Sequence, residues 1–538
     1  HERIAAAGMD LAKVKNLKVT GKINALDFGY MRLRMPLLQA LNLKEAIITK
    51  GDSFSMDGTG FSGNEDYEIP DHAFYKKTSL QRIVLPDELQ KIGDWSFHES
   101  SIAGSLIIPD GVKEVGSYAF FLCKSLTGII SLPPSLEIIG NTAFGNCNFN
   151  SELKLPVNLK SIGESAFAMN PSLYGSLILP ENLQFIGSNA FSTCSNLTGS
   201  LEIPQKIKEI KPYTFLGCGF NGMLKLHDEI IYIGEHAFAG VPFRGELKLP
   251  KNLVSVNERT FTNCNFSGKL VIPESVISIG MYAFGDNKRL SGLLEIPKEV
   301  MSIGPGAFAG CNGIEGIILN KGLESIGNNA FENCFNISRI VIRAEIPPLV
   351  YNLTFSGVPK DNFTLEVPES SISQYQTAPG WSDFKRISAY RELSVSPGFA
   401  SAINSSVTRD LVLRAEGDWI VESKPDWITL DKLSGSKLSE LKLTFQQMSS
   451  GSPNREGEIV FKLSNKDYRA KCKVNQYNYE YSEDQFIVLH SATKGSGVNI
   501  VFLGDGYSAK DISEGKYINT INQAVGHFLN IEPYKTYK

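Results

Sequence analysis

Apolar side chains recur along more than half of this chain with a period of 23 or 24 residues. Within one repeat, Leu201–Ile203 alternates apolar and polar positions, which predicts a short, half-buried strand. A fixed period of this length predicts a solenoid, in which each unit buries its apolar side only by stacking on its neighbours. A phenylalanine marks the same position in all 13 repeats, at Phe74, Phe97, Phe120, Phe144, Phe167, Phe191, Phe215, Phe238, Phe261, Phe284, Phe308, Phe331 and Phe355.

A turn separates each strand from the phenylalanine that follows it. In the repeat above, Pro204 ends the strand because proline cannot donate to a ladder, and Ile207 and Ile210 lead into the turn. Recurrent glycine at one position of this turn predicts a backbone that needs positive φ. Nine repeats have this glycine, at Gly93, Gly116, Gly140, Gly163, Gly187, Gly234, Gly280, Gly304 and Gly327.

The full consensus is L-x-G-x-[LI]-x-[IL]-P-x-x-[LIV]-x-x-I-G-x-x-A-F-x-x-C, as in Leu155-Pro156, Ile162-Gly163 and Ala166-Phe167. Over about residues 60–360 the chain resembles the BspA-like class of leucine-rich repeats. The resemblance implies a mainly β fold, a curved solenoid with a parallel ladder on one side. It also implies a bacterial surface or secreted protein that binds host or environmental macromolecules.

Seven of the eight cysteines follow the repeat phenylalanine by three residues, at Cys123, Cys147, Cys194, Cys218, Cys264, Cys311 and Cys334. Other repeats place Ser100, Asn170, Val241 or Asn287 there, so we expect a small structural residue, reduced and buried. Coils ~4.8 Å apart would nevertheless bring cysteines of adjacent repeats within disulfide range. The spacing fits no zinc site, because the cysteines are one coil apart and have no accompanying histidine.

One side chain of each strand is expected to point outward, and the row of these residues is the candidate ligand-facing surface. Its members are Val84, Ile107, Ser131, Lys154, Ile178, Glu202, Lys225, Lys248, Val271, Glu295, Ile318 and Val341. None is aromatic, as a glycan platform would favour, and only three are basic. The centre is mostly charged and both ends are aliphatic. Either this is a solvated sheet, or it is a protein-binding face whose apolar ends contact a partner.

Composition excludes several classes of function. The net charge is −4 and the sequence pI is about 6.1, so the basic excess of a nucleic-acid-binding protein is missing. No stretch approaches the roughly 20 apolar residues that span a bilayer. The chain begins at His1 without an initiator methionine, and we expect a mature or trimmed fragment whose missing signal peptide says nothing about location.

The chain of 538 residues is too long for one core, and we predict four regions. Residues 1–60 lack the repeat register and form an N-terminal cap. Residues 61–390 form the solenoid, whose last coil is capped by the segment around Trp381. Residues 391–478 show short alternating runs between Gly, Ser, Asn and Pro, which predict an antiparallel β-sandwich. Residues 479–538 read as a strand, a turn and a helix of an incomplete α/β segment.

The predicted sandwich has Trp419, then Trp427-Ile428, Gly435, Asn454-Arg455-x-Gly457 and Val474-x-Gln476 in order. That order resembles a BACON domain, an immunoglobulin-like module named for a proposed carbohydrate-binding role. Trp419 and Trp427 are therefore candidate glycan contacts. Buried tryptophan is also common in the core of a sandwich, and both interpretations remain open at this point.

The last segment resembles the opening of the IgA-peptidase-like zinc metallopeptidases, through Asn499–Tyr507 (N-I-V-F-L-G-D-G-Y) and Glu532–Lys535 (E-P-Y-K). That family has an H-E-x-x-H helix, in which two histidines bind zinc and the glutamate activates water. None of the seven histidines here forms this motif. We therefore expect no catalytic, cofactor-binding or metal-binding residue in this chain, and zinc only in a catalytic domain beyond Lys538.

These patterns favour a secreted or cell-surface bacterial recognition protein that binds an extracellular protein or glycoprotein through the solenoid. Carbohydrate binding through the BACON-like domain is a further expectation, and nucleic acid is not an expected partner. The alternative is an enzyme in which this chain is the non-catalytic, substrate-targeting front half of a secreted zinc metallopeptidase. The end of the chain at Tyr534–Lys538, where that family runs on, favours a continuation over a degenerate tail.

Overall fold

The computed structural model describes residues 10–56, 59–390, 392–403, 406–449, 451–465 and 468–478. Two compact units divide at Tyr390. The first contains the repeats, and the second contains the segment that resembles a BACON domain. The incomplete α/β segment predicted for residues 479–538 lies outside the described residues.

The repeats of the first unit form coils with up to two short strands, which pair in parallel with the equivalent strands of neighbouring coils in several separate sheets. In four repeats the first position, at 153–155, 177–179, 247–249 and 270–272, contains no strand, and these segments are grouped with the first strands as part of ladder A. The first strands define ladder A: Asn16–Ile23, Ala40–Ile48, Arg82–Val84, Leu106–Ile107, Ile130–Ser131, Leu201–Glu202, Leu224–Lys225, Gly292–Glu295, Ile314–Leu319, Arg339–Ile342, Leu365–Val367 and Ile387–Ala389. The second strands define ladder B: Glu68–Ile69, Lys91–Ile92, Glu114–Val115, Ile138–Ile139, Ser161–Ile162, Phe185–Ile186, Glu209–Ile210, Tyr232–Ile233, Ser255–Val256, Ser278–Ile279, Ser302–Ile303 and Ser325–Ile326. The predicted solenoid with a parallel ladder is confirmed.

Few other elements occur among the described residues of this unit. Its helices are two 3₁₀ turns and two short α-helices: Leu11–Lys13, Ala25–Leu33, Glu369–Ser371 and Ile372–Thr377. Two further parallel pairs join Tyr174–Ser176 to Asn196–Thr198 and Ser267–Gly268 to Arg289–Leu290. One antiparallel hairpin joins Phe54–Met56 to Thr59–Phe61. The helix Ala25–Leu33 begins at a capping box, in which the Asn24 side chain accepts from Leu26 N and Asp27 reaches back to Asn24 N.

The repeat phenylalanines form a continuous spine through the core. Consecutive rings are stacked, with centroids between 5.0 Å (Phe97–Phe120) and 5.7 Å (Phe238–Phe261) apart. Phe28 closes the spine at the N-terminal end, 5.8 Å from Phe74, and Trp381 closes it at the other end, 5.2 Å from Phe355. Neighbouring coils thus bury each other's apolar side, which is the source of stability in a solenoid.

The seven repeat cysteines are all buried, and the structure holds them as free thiols. Each donates its S–H to the carbonyl of the phenylalanine in the preceding repeat, as Cys264 Sγ does to Phe238 O at 3.0 Å. In two repeats Asn170 and Asn287 replace cysteine and donate Nδ2 to the corresponding carbonyl, of Phe144 and Phe261. The position therefore selects a small side chain that can satisfy a buried backbone acceptor.

We expect no cysteine of the native protein to react with a thiol-specific reagent at pH 8, and all eight to react after denaturation. Burial raises the pKa of Cys123 and of Cys194 to about 12, so the reactive thiolate is scarce as well as inaccessible. The thiol pKa is higher in the folded state than in the unfolded state, so burial of the neutral thiols favours the folded state up to a pH of about 8.5. This contribution to stability is lost as the pH rises from about 8.5 towards 12, where the buried thiols must ionise. Colorimetric thiol titration checks the expectation; fast labelling of one or more native thiols would contradict it.

The recurrent turn glycines do not have the positive φ that their recurrence predicted. Glycine recurs here because neighbouring coils approach each other closely: a Cβ on any of the nine would lie less than 3.0 Å from the backbone of the preceding coil. For Gly163 the nearest backbone atom is Asn141 N, at 2.5 Å. Positive φ instead occurs two residues before the repeat phenylalanine, for example at Trp95 (57°) and Asn189 (57°).

The second unit is one mainly antiparallel sheet around its own core, consistent with the predicted sandwich. Its strands are Leu393–Ser396, Phe399–Ile403, Val407–Ser423, Ile428–Leu430, Ser434–Phe445, Arg455–Leu463 and Arg469–Tyr477. The long strand Val407–Ser423 pairs with three others and is irregular between Arg414 and Asp418. Such an irregularity bends a strand and allows one sheet to enclose a core.

Candidate binding surfaces

Ladder A presents its alternate side chains to solvent, as the sequence pattern indicated. Ten of the predicted outward residues are exposed: Val84, Ile107, Ser131, Lys154, Ile178, Glu202, Lys225, Lys248, Val271 and Glu295. Among the aliphatic ones, Ile178 is 77% exposed, Val271 62%, Ile107 60% and Val84 45%. Apolar side chains this exposed have no role in the core, so they are available to a partner.

Ile318 and Val341 were wrongly predicted to be exposed, since their exposed fractions are 5% and 1%. Ladder A has longer strands here, and Val341 lies between Arg339 and Arg343 on the same face. Arg339 makes a bidentate ion pair with Glu366, at 2.8 and 3.0 Å. The arginine stems beside Val341 cover apolar surface while their charged ends are paired. Exposed aliphatic residues therefore occur at the N-terminal end of the ladder and at Ile178 and Val271 along its length, but not at Ile318 and Val341.

The charged centre of ladder A consists largely of ion pairs. Lys225 Nζ is 2.8 Å from Glu202 Oε2, and Lys154 Nζ is 3.3 Å from Glu152 Oε2. Each exposed pair contributes about 0–1 kcal/mol. Because lysines and glutamates alternate and neutralise each other, this region does not form the basic stripe that a polyanion would require.

An apolar cleft interrupts ladder A near its N-terminal end. The strand Arg82–Val84 pairs with Ala40–Ile48, and Leu106–Ile107 pairs with Ile130–Ser131, but the described strands do not join these two pairs. The cleft between them has a volume of about 530 Å³, and its apolar lining is Ile83, Val84, Leu85, Ile102, Leu106, Ile107, Ile108 and Leu126. The exposed side chains of Lys44, Asp87 and Asp110 form a polar rim.

Ile129 is an exposed residue of this surface that sequence reasoning missed. It is 57% exposed, and its carbonyl accepts from Leu106 N at 2.8 Å, which places it beside the cleft. Ile129 precedes the strand Ile130–Ser131, so the predicted row of outward-pointing strand residues did not include it. Its spacing of two residues from Ser131 was the available signal, because residues i and i+2 of an extended segment share a face.

A cluster of aromatic rings lies on the turns of the first three repeats, where no binding residue was predicted. The aromatic cluster comprises His72, Tyr75, Trp95, His98, Tyr118 and Phe121. Trp95 stacks on Tyr118 with centroids 4.0 Å apart and planes 9° from parallel. The signal in the sequence was the register: these residues stand two before or one after the repeat phenylalanine.

The second unit does not offer both of its tryptophans to a ligand. Trp419 is 0% exposed; its ring makes an edge contact with Phe461 at 5.9 Å, and its Nε1 donates to Ser439 Oγ. The glycan contact predicted at Trp419 is therefore wrong, and the residue belongs to the core. Trp427 is half-buried, with the Arg455 guanidinium 4.8 Å from its ring centroid. Because the Arg455 guanidinium covers one face of the Trp427 ring, that face is less accessible to a sugar.

The part of the chain that the structure describes contains no cluster of three or more His, Cys, Asp or Glu side chains able to hold a metal ion. Within the same residues, no helix has the length and apolar character of a membrane span. The segment that resembles the metallopeptidases, Asn499–Tyr507 with Glu532–Lys535, lies outside the described residues. The enzyme alternative consequently stays a prediction.

Comparison with known families agrees with the repeat geometry. The sequence profile of the BspA-type leucine-rich repeat region matches residues 67–198, 173–291 and 292–360, which together are more than half of the chain. The chain belongs to the BspA-type leucine-rich repeat family. In this family member, residues 417–476 also match the BACON profile, described as a putative binding domain. The search of curated proteins found no significant match.

Three solved structures are similar to this BspA-type protein over more than half of its length. A leucine-rich repeat protein from Bacteroides ovatus is 23% identical, over 66% of this chain and 92% of that one, with a TM-score of 0.43. A leucine-rich cell surface protein from Faecalibacterium prausnitzii is 18% identical over 61% and 83% (TM-score 0.30). The pneumococcal vaccine antigen PcpA is 17% identical over 70% and 89% (0.34). At these TM-scores, the fold assignment rests on the family match and the ladders described above.

Proposed function

We propose that this protein is a bacterial recognition protein, secreted or displayed at the cell surface, that binds an extracellular protein or glycoprotein through ladder A. The observation that carries the proposal is the apolar cleft flanked by exposed Val84 and Ile107, with Ile129 beside it. An apolar centre with a charged rim is the usual anatomy of a protein-binding surface. The location rests on the family, whose members are typically surface or secreted proteins.

The chemistry of ladder A favours a protein ligand over a polyanion. Its exposed Val84 and Ile107 lie next to a cleft that can accept a partner's side chains, whereas its lysines are largely paired with carboxylates. The interrupted pairing between Arg82–Val84 and Leu106–Ile107 also leaves backbone groups at the cleft that an extended segment of a partner can bond. Ladder A would bind a macromolecule in either case, whether the protein acts by binding alone or targets substrates for a peptidase.

Replacing Ile107 with Glu is expected to weaken binding of the macromolecular ligand by about tenfold or more, because a buried carboxylate without a partner is costly in an apolar interface. Ile107 is 60% exposed, so the thermal unfolding midpoint should not change. Immobilised extracellular-matrix and mucosal glycoproteins, probed with the full chain by surface plasmon resonance, provide the measurement.

The matched control is Ile138→Glu, which places the same charge on an exposed aliphatic position (42%) of ladder B. This variant should bind like the wild type. Two results would contradict the proposal: an Ile107→Glu protein that binds every ligand of the wild type with unchanged affinity, or an equal loss in both variants.

A further inference from the structure

The aromatic cluster occupies two register positions of the repeat, and only the first three repeats have an aromatic side chain at both of them. Two residues before the repeat phenylalanine, the first three repeats have His72, Trp95 and Tyr118, and the next three have Thr142, Ser165 and Asn189. One residue after it, the first three have Tyr75, His98 and Phe121, and the next three have Gly145, Ala168 and Ser192. Since the same coil forms with small residues at both positions, the fold does not require six rings here.

The backbone at the first of these positions makes the aromatic choice unfavourable. φ is 57° at His72, Trp95 and Tyr118, the same value as at Asn189 and close to the 61° of Gly306 in the same register. Glycine and asparagine adopt this left-handed region at low cost, whereas bulky side chains are strained in it. Later repeats accept the same strain at Tyr213, His236, Arg259 and Tyr282, so the distinguishing feature of the first three repeats is the second ring, one residue after the phenylalanine.

The rings stabilise one another in two columns. Trp95 stacks on Tyr118, and Tyr75 stacks on His98 at 5.1 Å, which in turn stacks on Phe121 at 5.4 Å. Trp95 and His98 make an edge contact at 4.8 Å between the columns. Burial lowers the pKa of His72 and of His98, so both imidazoles are neutral at pH 7. The result is a preorganised, half-buried aromatic surface with polar N–H and O–H groups.

A recess of about 620 Å³ opens beside this surface, within the usual size range of small-ligand sites. Its lining combines rings with small polar residues: Arg32, Ser53, Gly60, Ser62, His72, Tyr75 and Trp95. The Arg32 guanidinium donates to His72 O at 3.0 Å and lies 5.3 Å from the Tyr75 ring centroid, so it is part of the wall. Among the residues that the structure describes, this lining contains no carboxylate.

We propose that the recess and its aromatic wall bind a carbohydrate, through the pyranose rings of a neutral glycan. The apolar C–H face of a pyranose packs on Trp and Tyr rings, and its hydroxyls match serine hydroxyls, imidazoles and the Tyr75 phenol. The site combines ring faces with hydroxyl, imidazole and guanidinium groups, all of which can bond the hydroxyls of a sugar. This site is separate from ladder A and does not depend on the tryptophans of the second unit.

Trp95→Asn tests the proposal on the full chain, with a panel of immobilised neutral glycans (glucose-, galactose-, mannose- and N-acetylhexosamine-based oligosaccharides) as the probe. The wild type should bind at least one glycan, and the variant should bind it about tenfold or more weakly because a stacking ring is lost. Asparagine occupies the same register at Asn189 and Asn329 with similar φ, so the coil should form. Tyr282→Asn, in the same register eight repeats later, is the matched control and should keep wild-type binding.

Tyr75→Ala is the second variant, since Ala168 and Ala239 occupy its register elsewhere, and it should also lose glycan binding. A soluble form of the bound glycan should change tryptophan fluorescence in the wild type but not in Trp95→Asn, because Trp381 and Trp419 are fully buried. Trp427 is half-buried, so a fluorescence change that persists in Trp95→Asn would indicate binding at Trp427 and overturn the proposal. The proposal is overturned if no glycan binds, or if both variants bind like the wild type. It is also overturned if the variants lose a protein ligand while glycan binding persists, and loss of glycan binding alone leaves the function of ladder A intact.

Discussion

Phe215→Ala is expected to lower the free energy of unfolding by roughly 3–5 kcal/mol, the usual cost of a phenylalanine-sized core cavity. Phe215 is 0% exposed and stacks on Phe191 and Phe238, each at 5.6 Å. It stands in the seventh of 13 repeats, so its loss weakens both interfaces of a central coil. Urea denaturation followed by far-UV circular dichroism measures the change.

Lys225→Ala, ten residues later in the chain, is the control. Lys225 is exposed on ladder A and pairs with Glu202 at 2.8 Å, an interaction worth about 0–1 kcal/mol at a solvated surface. The account predicts a large difference between the two variants. Similar small losses in both would show that the assignment of core and surface positions within the repeat is wrong.

Gly163→Ala is expected to destabilise the protein by about 3 kcal/mol, at the upper end of typical overpacking costs. The added Cβ would lie 2.5 Å from both Asn141 N and Gly140 C of the preceding coil. These are backbone atoms held by the ladder, where Gly163 N donates to Ile139 O at 2.8 Å, so the coils must separate to accept the methyl group. The thermal and urea unfolding transitions of the variant provide the measurement.

Gly104→Ala separates this steric effect from a conformational one. Gly104 has a φ of 81°, and a Cβ there would meet nothing within 4 Å, so the expected cost is only about 1 kcal/mol for the left-handed backbone. If Gly163→Ala instead cost no more than Gly104→Ala, close approach between coils would not be the reason for the recurrent glycine.

The sequence predicted those features that depend on the repeat period alone. The phenylalanine spine, the alternation of Leu201 inward and Glu202 outward, and the buried cysteines follow from positions that recur in phase. Each of these side chains has the same neighbours in every coil. Periodicity is therefore sufficient to assign it to the core or to the surface.

Features that depend on neighbours outside the repeat could not be predicted. Val341 is buried where the strands of ladder A are longer, and Trp419 is buried in a separate core. Recurrent glycine has two possible causes, positive φ and close approach, and only coordinates distinguish them. The aromatic cluster was not predicted, because its residues lie on the turns, whereas a binding surface was expected on the strands.

Hydrogen–deuterium exchange of the full chain, with and without its bound macromolecular ligand, tests the central claim most directly. Residues 83–85 and 105–108 line the apolar cleft where ladder A is interrupted, so a ligand bound there should slow the exchange of their backbone amides. Amides of ladder B, such as those of Lys91–Ile92 and Glu114–Val115, should be unaffected. Protection confined to ladder B or to the second unit would contradict recognition through ladder A.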